Sequence, residues 1–554
     1  MDASPGRGAT HQVSNQPPPL QGYDAFATDH VLVEAVQREG ADWASGFVSE
    51  VGRFAGSERA IELGFRANES PPRLVTHDRF GNRIDRVDYH PAYHELMDAS
   101  ISAGLHSLPW VEPRPGAHVA RGAAFFCFSQ AEAGVGCPTS MTYSVIPALR
   151  AQPELAAEWE PRLLATEYDP ADVAASEKRG CLAGMGMTEK QGGSDVRANT
   201  TVAEPANGGG PGSEYLLTGH KWFMSAPMCD AFLVLAQAPT GISCFLFPRR
   251  LSDGSLNSCE LQRLKDKLGN RSNASSEVEF ERASAHLIGE EGDGVRTIIG
   301  MVNHTRLDCV LGAAAGIRLG TVQAIHHASN RSAFGKRLVD QPLMRNVLCD
   351  LAIESEAATI AAMRLARSYD EAADGAEAAV NFRRLANGTL KYWLCKRAPV
   401  HAAEALECLG GNGYVEESVM PRLYRESPLN SIWEGSGDVQ CLDVLRAMAK
   451  SPDATDAFLD ELDAARGEDS RLDSHVADLR ARLSDPEAIE SRARRTVEAM
   501  ALALQGSLLV RFGDPAVADA FCASRLGGEW GRALGTLPPG FDAERILARH
   551  AVAA

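Results

Sequence analysis

One glutamate in this sequence stands in a setting that suits acid–base chemistry. Glu434 lies between the apolar pair Ile432 and Trp433 and the small-residue run Gly435-Ser436-Gly437. Partial removal of a carboxylate from water raises its pKa toward neutrality, which suits a base that must take a weakly acidic proton. The segment therefore predicts a catalytic base at Glu434, and the alternative is an ordinary surface glutamate in a turn.

Two polar and aromatic segments earlier in the chain could line a planar ring. In residues 187–195, Thr188 and Ser194 offer hydroxyl groups, and two adjacent glycines allow backbone amides to approach a ligand closely. In residues 219–225, aromatic side chains beside a serine can wall a ring system and hydrogen-bond its edge. The alternatives are an ordinary polar loop and a strand whose aromatic side chains lie in the core.

Two further segments suit a pyrophosphate or a nucleotide. Arg331 opens residues 331–335, and its planar guanidinium can hold two phosphate oxygens at once; Gln341 follows shortly after. Residues 407–414 close a long helical stretch with several glycines, which would let a nucleotide come close. The alternatives are a solvated surface arginine and a plain glycine cap at a helix C-terminus.

The whole chain has the length and composition of a soluble protein of several domains. It has 554 residues, of which 44% are apolar and 23% charged, and no long uncharged apolar run predicts a membrane span. The net charge of −18 does not favour nucleic-acid binding over the whole surface. The twelve cysteines lack CxxC spacing, which argues against a zinc site or a disulfide scaffold, and no secretory signal is evident. We therefore expect a cytoplasmic protein with reduced cysteines and no metal.

The pattern of apolar residues divides the chain into five segments. Residues 1–22 are rich in proline and glycine and predict an extended N-terminal arm. Residues 23–180 predict an N-terminal helical domain, and residues 291–450 predict a four-helix bundle. Between them, residues 181–290 predict a small antiparallel β domain, and residues 451–554 predict a C-terminal helical extension.

Individual strands and helices can be predicted within those segments. The clearest strands are predicted at residues 215–217, 231–236 and 242–247. The bundle helices are predicted over residues 317–329, 343–369, 376–397 and 400–409. No G-x-G-x-x-G motif follows a predicted strand, and the order of helices, β domain and bundle is not a Rossmann alternation, so a nicotinamide fold is not expected.

The five chemical segments occur in a fixed order between residues 180 and 450. They read T-E-x-x-G-G-S-D, K-W-F-x-S, R-x-x-F-G, L-G-G-x-G-Y and W-E-G-S-G. In this order and register they resemble the acyl-CoA dehydrogenase family. Residues 186–196, 263–275 and 421–426, together with Asn15-Gln16-Pro17 and the C-terminal helices, resemble the AidB-like branch of alkylation-response flavoproteins.

The resemblance implies a fold, a cofactor and an assembly. The fold would be mainly α with a middle β domain, and FAD would lie between the domains of a homotetramer. Arg331, Phe334 and Gln341 would serve the pyrophosphate and adenosine end across a subunit interface, and Ser194 and Arg271 would bind substrate. The residues that the resemblance assigns to FAD are Met185, Met187, Thr188, Gly193, Ser194, Phe223, Met224, Ser225, Arg331, Phe334, Gln341, Glu407, Gly410, Gly411, Gly435, Ser436, Gly437 and Asp438.

The resemblance also implies a reaction. Glu434 would remove the α-proton of a short or branched acyl-CoA, and the β-hydrogen would leave as hydride to flavin N5. An electron-transfer flavoprotein would then accept the electrons. In some members of the family the base stands on another helix, just before an arginine; the matching position here is Thr305, before Arg306, and a threonine cannot serve as that base.

Some positions depart from the family pattern. Lys190 stands where proline is common, Glu407 where a flavin-contacting glutamine is common, and Asp438 where an amide residue is usual. Asn270 and Asn273 replace an aromatic and a hydroxyl residue of the active dehydrogenases. These departures bear on the substrate more than on the fold or the FAD site.

Two other classes of function compete with dehydrogenation. An AidB-like flavoprotein could bind double-stranded DNA and protect it, and the cluster Arg492, Arg494 and Arg495 in the C-terminal extension suits phosphate. Residues 451–554 carry more acidic residues than arginines, so a solvated helix face is the other interpretation of that cluster. A flavin-free scaffold protein is the third class, and a colourless purified protein would indicate it.

Overall fold

The computed structural model describes residues 10–485 and 487–552, so the first part of the predicted N-terminal arm lies outside the described residues. The N-terminal domain is helical because its segments carry one apolar face and begin at polar caps; the Asp29 carboxylate, for example, accepts the backbone N–H of Leu32 at the start of α1. The helices are α1 (His30–Arg38), α2 (Ser45–Ala55), α3 (Glu58–Glu69), α4 (Pro91–Ser102), α5 (Leu108–Val111), α6 (Ala117–Ala131), α7 (Gly136–Leu149) and α8 (Pro153–Leu163).

A β-hairpin interrupts the region that was predicted to be helical. Strands β1 (Arg73–His77) and β2 (Arg83–Asp88) pair antiparallel between α3 and α4. The hairpin is tied to the β domain, since Arg83 Nη2 donates to the Leu261 carbonyl and the Asp85 carboxylate accepts the Leu261 N–H. The N-terminal and β domains are therefore held together by hydrogen bonds between side chains of the hairpin and the backbone of Leu261 as well as by apolar packing.

The middle domain is a seven-stranded sheet in the order β3-β6-β4-β5-β9-β7, with β8 paired to β9 and β6 also paired to β7. Its strands are β3 (Ala183–Gly186), β4 (Val202–Pro205), β5 (Glu214–Ser225), β6 (Ala231–Ala238), β7 (Gly241–Pro248), β8 (Cys259–Leu264) and β9 (Ser275–Ile288). The three predicted strands lie within β5, β6 and β7. The predicted antiparallel arrangement was wrong in part, because β3 and β4 each pair parallel with β6.

Long helices form the bundle that follows the sheet. They are α9 (Gly294–Asn330), α10 (Pro342–Ala373), α11 (Glu377–Cys408) and α14 (Gly437–Lys450), with a two-residue hairpin of β10 (Ser332–Ala333) and β11 (Lys336–Arg337) between α9 and α10. The predicted break between residues 397 and 400 was wrong, since α11 runs through Pro399. Packing of this helix against α9 and α10 along its length outweighs the roughly 3 kcal/mol that an internal proline costs.

Helix α9 is the central element of the fold. By length and composition alone it could cross a membrane, but 83% of its most apolar stretch is buried inside the protein. It packs against α6 and α7 of the N-terminal domain and against α10 and α11 of the bundle. We therefore interpret α9 as a core helix that connects the two helical domains.

The C-terminal extension packs on the outside of the bundle through contacts of α15 (Pro452–Asp463) with α11 and of α17 (Ala493–Phe512) with α10 and α11. Arg525 is fully buried and pairs with Asp350 and Glu354 of α10, while Trp530 Nε1 donates to the Asp350 carboxylate. The remaining helices are α12 (Gly411–Tyr414), α13 (Val419–Glu426), α15 (Pro452–Asp463), α16 (Ser470–Ser484), α17 (Ala493–Phe512), α18 (Pro515–Phe521) and α19 (Ala543–Ala548).

The end of the described chain returns to the first helix. Arg549 pairs with Glu34 of α1, and His550 Nδ1 lies 2.6 Å from Nη1 of the buried Arg318 in α9. Arg318 also pairs with Asp29 at the start of α1, at 3.2 Å. These contacts form a buried ion cluster that joins the N-terminal domain, the bundle and the C-terminal tail.

The twelve cysteines all lie among the described residues, and each is buried with a free thiol. Burial raises the pKa of most of these thiols, for example to about 12 for Cys137 and Cys244. The thiols are therefore neutral near pH 7, as expected for structural cysteines.

Candidate active site

Glu434 lies in the loop before α14, in a left-handed backbone conformation with φ of 58°. Its Oε2 accepts a hydrogen bond of 2.7 Å from Thr305 Oγ1, which projects from α9. Burial raises the pKa of Glu434, and the Thr305 hydrogen bond and the charges of Lys391 and Arg306 oppose that rise. The carboxylate thus has the partly desolvated setting that the sequence predicted, and its hydroxyl partner occupies the alternative base position.

The backbone on both sides of Glu434 is held by side chains from three helices. Lys391 Nζ on α11 donates to the carbonyls of Trp433, at 2.7 Å, and of Gly435. Arg306 Nε on α9 donates to the Glu434 carbonyl at 3.1 Å, and Gln440 Nε2 on α14 reaches the same oxygen at 2.9 Å. Three successive carbonyls therefore have side-chain donors, and sequence motifs alone identified none of these donors.

The small residues after Glu434 have structural reasons to be small. Gly435 has φ of 95°, and a Cβ there would lie 2.5 Å from Gln440 Nε2. Ser436 is the residue before α14, and Gly437 is its first, buried residue. Asp438 follows in the first turn, where it is exposed and pairs with Arg494 of the C-terminal extension at 2.6 Å. The extension therefore reaches the loop that was predicted to close over the flavin.

The segment from Met187 to Ser194 is organised by a buried ion pair. The Glu189 carboxylate accepts Lys221 Nζ at 2.7 Å and also the backbone N–H groups of Thr200 and Thr201. Burial alone would raise the pKa of Glu189, but these hydrogen bonds outweigh it and the pKa is lowered. Motif reading missed this organising role, although the acidic and basic residues stand at fixed places in the first two motifs.

The same ion pair places the first motif beside strand β5. The Trp222 N–H donates to the Thr188 carbonyl at 2.8 Å, so the first two motifs adjoin. Gly193 lies directly against Thr188, where a Cβ would stand 2.5 Å from its Oγ1. Met185 and Met187 are partly buried against the β-domain core, and Ser194 lies exposed on the loop.

Strand β5 presents alternate residues to opposite sides, as a strand must. Phe223 is 47% exposed, and the Ser225 hydroxyl lies 3.1 Å from that of Ser275 on β9. Met224 points the other way and is buried in the β-domain core. The motif places residues 223–225 at the flavin, and for Met224 such a contact would have to come from its backbone, because its side chain faces the core.

The residues around Arg271 are held by Glu426 of α13. Asn270 has φ of 54° and donates both its backbone N–H and its side-chain amide to the Glu426 carboxylate. Arg271 itself is exposed, with its Nε 3.3 Å from the Lys267 carbonyl, and it is free to reach an anionic group. Asn273 is buried, and in the described part of the chain its amide has no hydrogen-bond partner.

The Arg331 segment forms a small exposed hairpin on another part of the molecule. Phe334, with φ of 51°, and Gly335 make its turn, and the Phe334 side chain is completely exposed. Gln341 Nε2 donates to the Ala333 carbonyl and fixes the base of the hairpin. An exposed aromatic ring beside an arginine suits a site that another subunit completes.

The N-terminal arm joins this hairpin to the glycine-rich loop after α11. Asn15 exchanges two hydrogen bonds with the backbone of Ser332, at 2.7 and 2.8 Å, and its carbonyl accepts Arg331 Nη1. Gln16 Oε1 accepts both Arg331 Nη1 and Asn412 Nδ2. The third and fourth motifs are thus brought together by residues of the arm.

The glycine-rich loop has open space around it. Gly410 has φ of 59°, and a Cβ at Gly410 or Gly411 would meet no atom within 4 Å. Glu407 is exposed at the end of α11, so its carboxylate does not enter the core. The predicted residues therefore form two groups, one in the β domain around Thr188 and Ser225 and the other around Arg331, while Glu434 stands with Thr305 of α9.

The residues of these groups fit FAD. The first group combines an exposed aromatic ring at Phe223, hydroxyls at Thr188 and Ser225 and the close-packed Gly193, which suit a planar ring with polar edges. The second combines the Arg331 guanidinium with the open glycines of residues 410–411, which suit a pyrophosphate. The donor chemistry of both groups is that of a dinucleotide with a flavin ring.

The predicted DNA-binding arginines lie at the start of α17, and two of them are paired with acids. Arg492 pairs with Asp485 at 2.9 Å, and Arg494 pairs with Asp438 at 2.6 Å. Arg495 is exposed one residue further along. The cluster exists as predicted, but the acidic partners reduce the positive charge that it offers to a phosphate.

Domain comparisons divide the chain in the same order as its structure. Residues 15–170 match the N-terminal domain of the adaptive response protein AidB. Residues 184–283 match the acyl-CoA dehydrogenase middle domain, and residues 292–449 match the acyl-CoA dehydrogenase C-terminal domain. These matches contain both groups of predicted site residues.

Whole-chain comparisons extend this likeness. The chain is 46% identical to AidB of Escherichia coli strain K12 over 515 residues, which are 93% of this chain and 94% of that protein. Among solved structures it is similar to Caenorhabditis elegans ACDH-11 in complex with C11-CoA, with a TM-score of 0.86, 26% identity and coverage of 99% and 98%. The fold is shared with an acyl-CoA dehydrogenase complexed with FAD from Bacillus anthracis, at a TM-score of 0.69, 16% identity and coverage of 88% and 87%. The chain therefore belongs to the acyl-CoA dehydrogenase family and, within it, to the AidB branch.

Proposed function

We propose that the protein is an FAD-dependent dehydrogenase that desaturates a short or branched acyl-CoA between Cα and Cβ, with Glu434 as the base. The observation that carries the proposal is the position of Glu434. Its carboxylate is partly desolvated and is fixed by a hydrogen bond from Thr305. A base in this setting can hold a proton taken from carbon, because its pKa lies above that of an exposed glutamate.

The two oxygens of Glu434 have different roles in this proposal. Oε2 accepts the Thr305 hydroxyl, which fixes the plane of the carboxylate. Among the described residues no donor reaches Oε1, so that oxygen would receive the α-proton of the substrate. FAD, when bound, supplies the acceptor for the β-hydrogen and its electron pair. Arg271, which is exposed, would bind an anionic part of the substrate.

Family membership and the relatives support the cofactor and the substrate class. FAD is the cofactor that the Bacillus anthracis neighbour contains, and the site residues here fit it. ACDH-11 binds C11-CoA, which supports a CoA thioester as the ligand of this chain. We propose an electron-transfer flavoprotein as the electron acceptor, as the family resemblance implies, and the cytoplasm as the compartment, as the scattered cysteines favour.

A homotetramer is the assembly that we propose. The exposed side chains of Phe334, Leu343 and Tyr414 support it, since they are 100%, 85% and 81% exposed. Phe334 lies in the Arg331 segment, Leu343 follows it at the start of α10 and Tyr414 ends the glycine-rich loop, so these apolar groups lie in or next to the segments proposed to bind the nucleotide. A neighbouring subunit that covered them would also complete the second group of site residues.

The proposal is tested with purified protein that retains its flavin. Anaerobic mixing with isovaleryl-CoA or butyryl-CoA should bleach the flavin absorption, and Glu434→Gln should keep FAD but slow bleaching by about 10²- to 10⁴-fold. Glu468→Gln, at an exposed glutamate far along the chain, is the matched control and should bleach normally. If no acyl-CoA bleaches the wild-type flavin, or if Glu434→Gln bleaches at the wild-type rate, the proposal fails.

DNA binding is a second candidate function. It is supported by the match to the adaptive response protein and by the arginine cluster at the start of α17. The ion pairs of Arg492 and Arg494 weigh against it, because a phosphate would have to displace Asp485 and Asp438. Measurement of duplex DNA binding as a function of salt concentration decides whether the protein binds DNA through this surface.

A further inference from the structure

Lys391 is a buried lysine whose contacts are unusual for its charge. It lies in the middle of α11 and is 1% exposed. Its ammonium donates to the carbonyls of Trp433 and Gly435, the two residues that flank Glu434. Among the residues that the structure describes, no carboxylate lies within 4.0 Å of this ammonium. The positive charge is therefore buried against neutral carbonyl oxygens.

Such an arrangement is unfavourable for stability alone. Removal of an ammonium group from water costs several kcal/mol when no anion compensates it. An apolar side chain of similar length would fill the same space without that cost. A neutral amide such as Gln440 already holds the Glu434 and Gly435 carbonyls, so hydrogen bonding to this loop does not require a charge.

Lys391 is the main source of net positive charge near Glu434, because the other groups there are either paired or neutral. Arg306 also faces the loop, but it pairs with Asp443 of α14 at 2.9 Å. The thiols that face this region belong to Cys137, Cys309 and Cys395, and burial raises the pKa of each, so they stay neutral near pH 7. The charge of Lys391 is also among the causes that lower the pKa of Glu434 against the effect of burial.

We infer that Lys391 is the positioning residue of the base: it fixes the left-handed turn at Glu434 by holding the carbonyls on both sides, and its charge favours the ionised carboxylate. Lys391 touches neither of the carboxylate oxygens, so it acts through the loop and through its field. This inference rests on the proposed role of Glu434. It adds a residue that the five motifs do not contain.

The first test compares Lys391→Met with Lys391→Arg and with Lys450→Met, which changes an exposed lysine at the end of α14. Anaerobic single-turnover bleaching with isovaleryl-CoA is measured as a function of pH, after equal FAD content and a folded circular dichroism spectrum are established. We expect Lys391→Met to be slowed about tenfold or more at neutral pH and to recover at alkaline pH, because the base then ionises without help. Lys391→Arg should restore most of the neutral rate, and Lys450→Met should match the wild type.

Two results would overturn the inference. One is a Lys391→Met variant with a lower Tm but an unchanged pH profile, which would indicate a purely structural lysine. The other comes from a double-mutant cycle between Lys391→Met and Glu434→Gln, measured as Tm at pH 8. We expect Lys391→Met to lower the Tm of the wild-type protein by about 2 °C or more beyond the amount by which it lowers the Tm of Glu434→Gln. Equal effects in both backgrounds would contradict the inference, and this cycle remains decisive even if no acyl-CoA bleaches the wild-type protein.

Discussion

The hydroxyl of Thr305 donates a hydrogen bond of 2.7 Å to the carboxylate of Glu434. The two residues are 129 positions apart in sequence and lie on α9 and on the loop before α14. They occupy the two places from which bases act in proteins that this chain resembles. Their direct contact brings the two places together, and in the proposed reaction the threonine would support the base instead of replacing it.

Thr305→Val should move the pH dependence of flavin bleaching to higher pH. Burial raises the pKa of Glu434, and the Thr305 hydrogen bond lowers it in part, so loss of the hydroxyl should raise the pKa further. The base is active only when ionised, so bleaching at neutral pH should slow by about tenfold, the effect of a hydrogen bond to a charged group, and should recover as pH rises. Stopped-flow absorbance across a pH series measures this.

Thr305→Ser is the control for that experiment, since it keeps the hydroxyl and should retain the wild-type profile. A Thr305→Val variant that is slowed equally at every pH would contradict the electrostatic explanation and would indicate a displaced loop.

Glu189→Gln should destabilise the β domain. It leaves Lys221 buried without its counter-ion, and breaking a buried pair costs about 3 to 5 kcal/mol. Burial lowers the pKa of Lys221 to about 8. Above that pH the buried lysine is mostly neutral, and it then loses little when its counter-ion is removed. The loss of stability should therefore be greatest at neutral pH and should shrink at alkaline pH, as urea unfolding at several pH values will show.

Two variants provide the comparison. Glu204→Gln removes one partner of an exposed pair with Arg282 and should cost about 1 kcal/mol or less. The double change Glu189→Gln with Lys221→Met should recover much of the loss, and no recovery would show that the glutamate acts mainly through Thr200 and Thr201.

The β domain shows how far local patterns predict this fold. Alternating and apolar runs placed β5, β6 and β7 correctly, because buried β-prone residues there have no competing structure. The parallel pairing of β3 with β6 could not be read from either strand, since it depends on which chain neighbours are brought together in space. The β1–β2 hairpin was missed for a similar reason: its contacts with Leu261 are made by residues distant in sequence.

Phe334→Asp should weaken the assembly. The ring is fully exposed at the tip of the β10–β11 hairpin, and a charge there would be buried if a second subunit covers it. We expect a smaller species in multi-angle light scattering and a lower ratio of FAD to protein.

Phe80→Asp is the control, since Phe80 is 76% exposed on the β1–β2 turn and is not part of the β10–β11 hairpin. An unchanged mass and flavin content for Phe334→Asp would exclude this face as a contact between subunits.

The triple change Arg492→Ala, Arg494→Ala and Arg495→Ala tests DNA binding. If α17 binds the DNA backbone, loss of three phosphate contacts should weaken binding and reduce the slope of log K against log salt by about 2 to 3. A matched triple change of the exposed Arg59, Arg66 and Arg73 to alanine should have no effect. Absence of any wild-type binding at low salt would exclude the function, and an equal effect of both triple changes would exclude this site.

The site shows the same division between local and distant information. Glu434, Phe223 and Arg331 could be found because each lies in a motif with a chemical reason for its neighbours. Lys391 stands in an ordinary helical segment, and its function is visible only where α11 crosses the loop at residues 433–435. The motif did not reveal that the Met224 side chain faces the core, because a motif gives residue types, whereas the side that each residue faces depends on the register of β5 with β9.

The ion cluster around Arg318 has a consequence for folding during translation. Asp29 is synthesised before Arg318, and Arg318 before Arg549 and His550. During translation the N-terminal domain therefore contains Asp29 before its ion-pair partner has been synthesised. Helix α1 can make its native contacts with Arg318 and Arg549 only after those residues have left the ribosomal exit tunnel. The N-terminal domain, the bundle and the C-terminal extension must therefore complete their folding together.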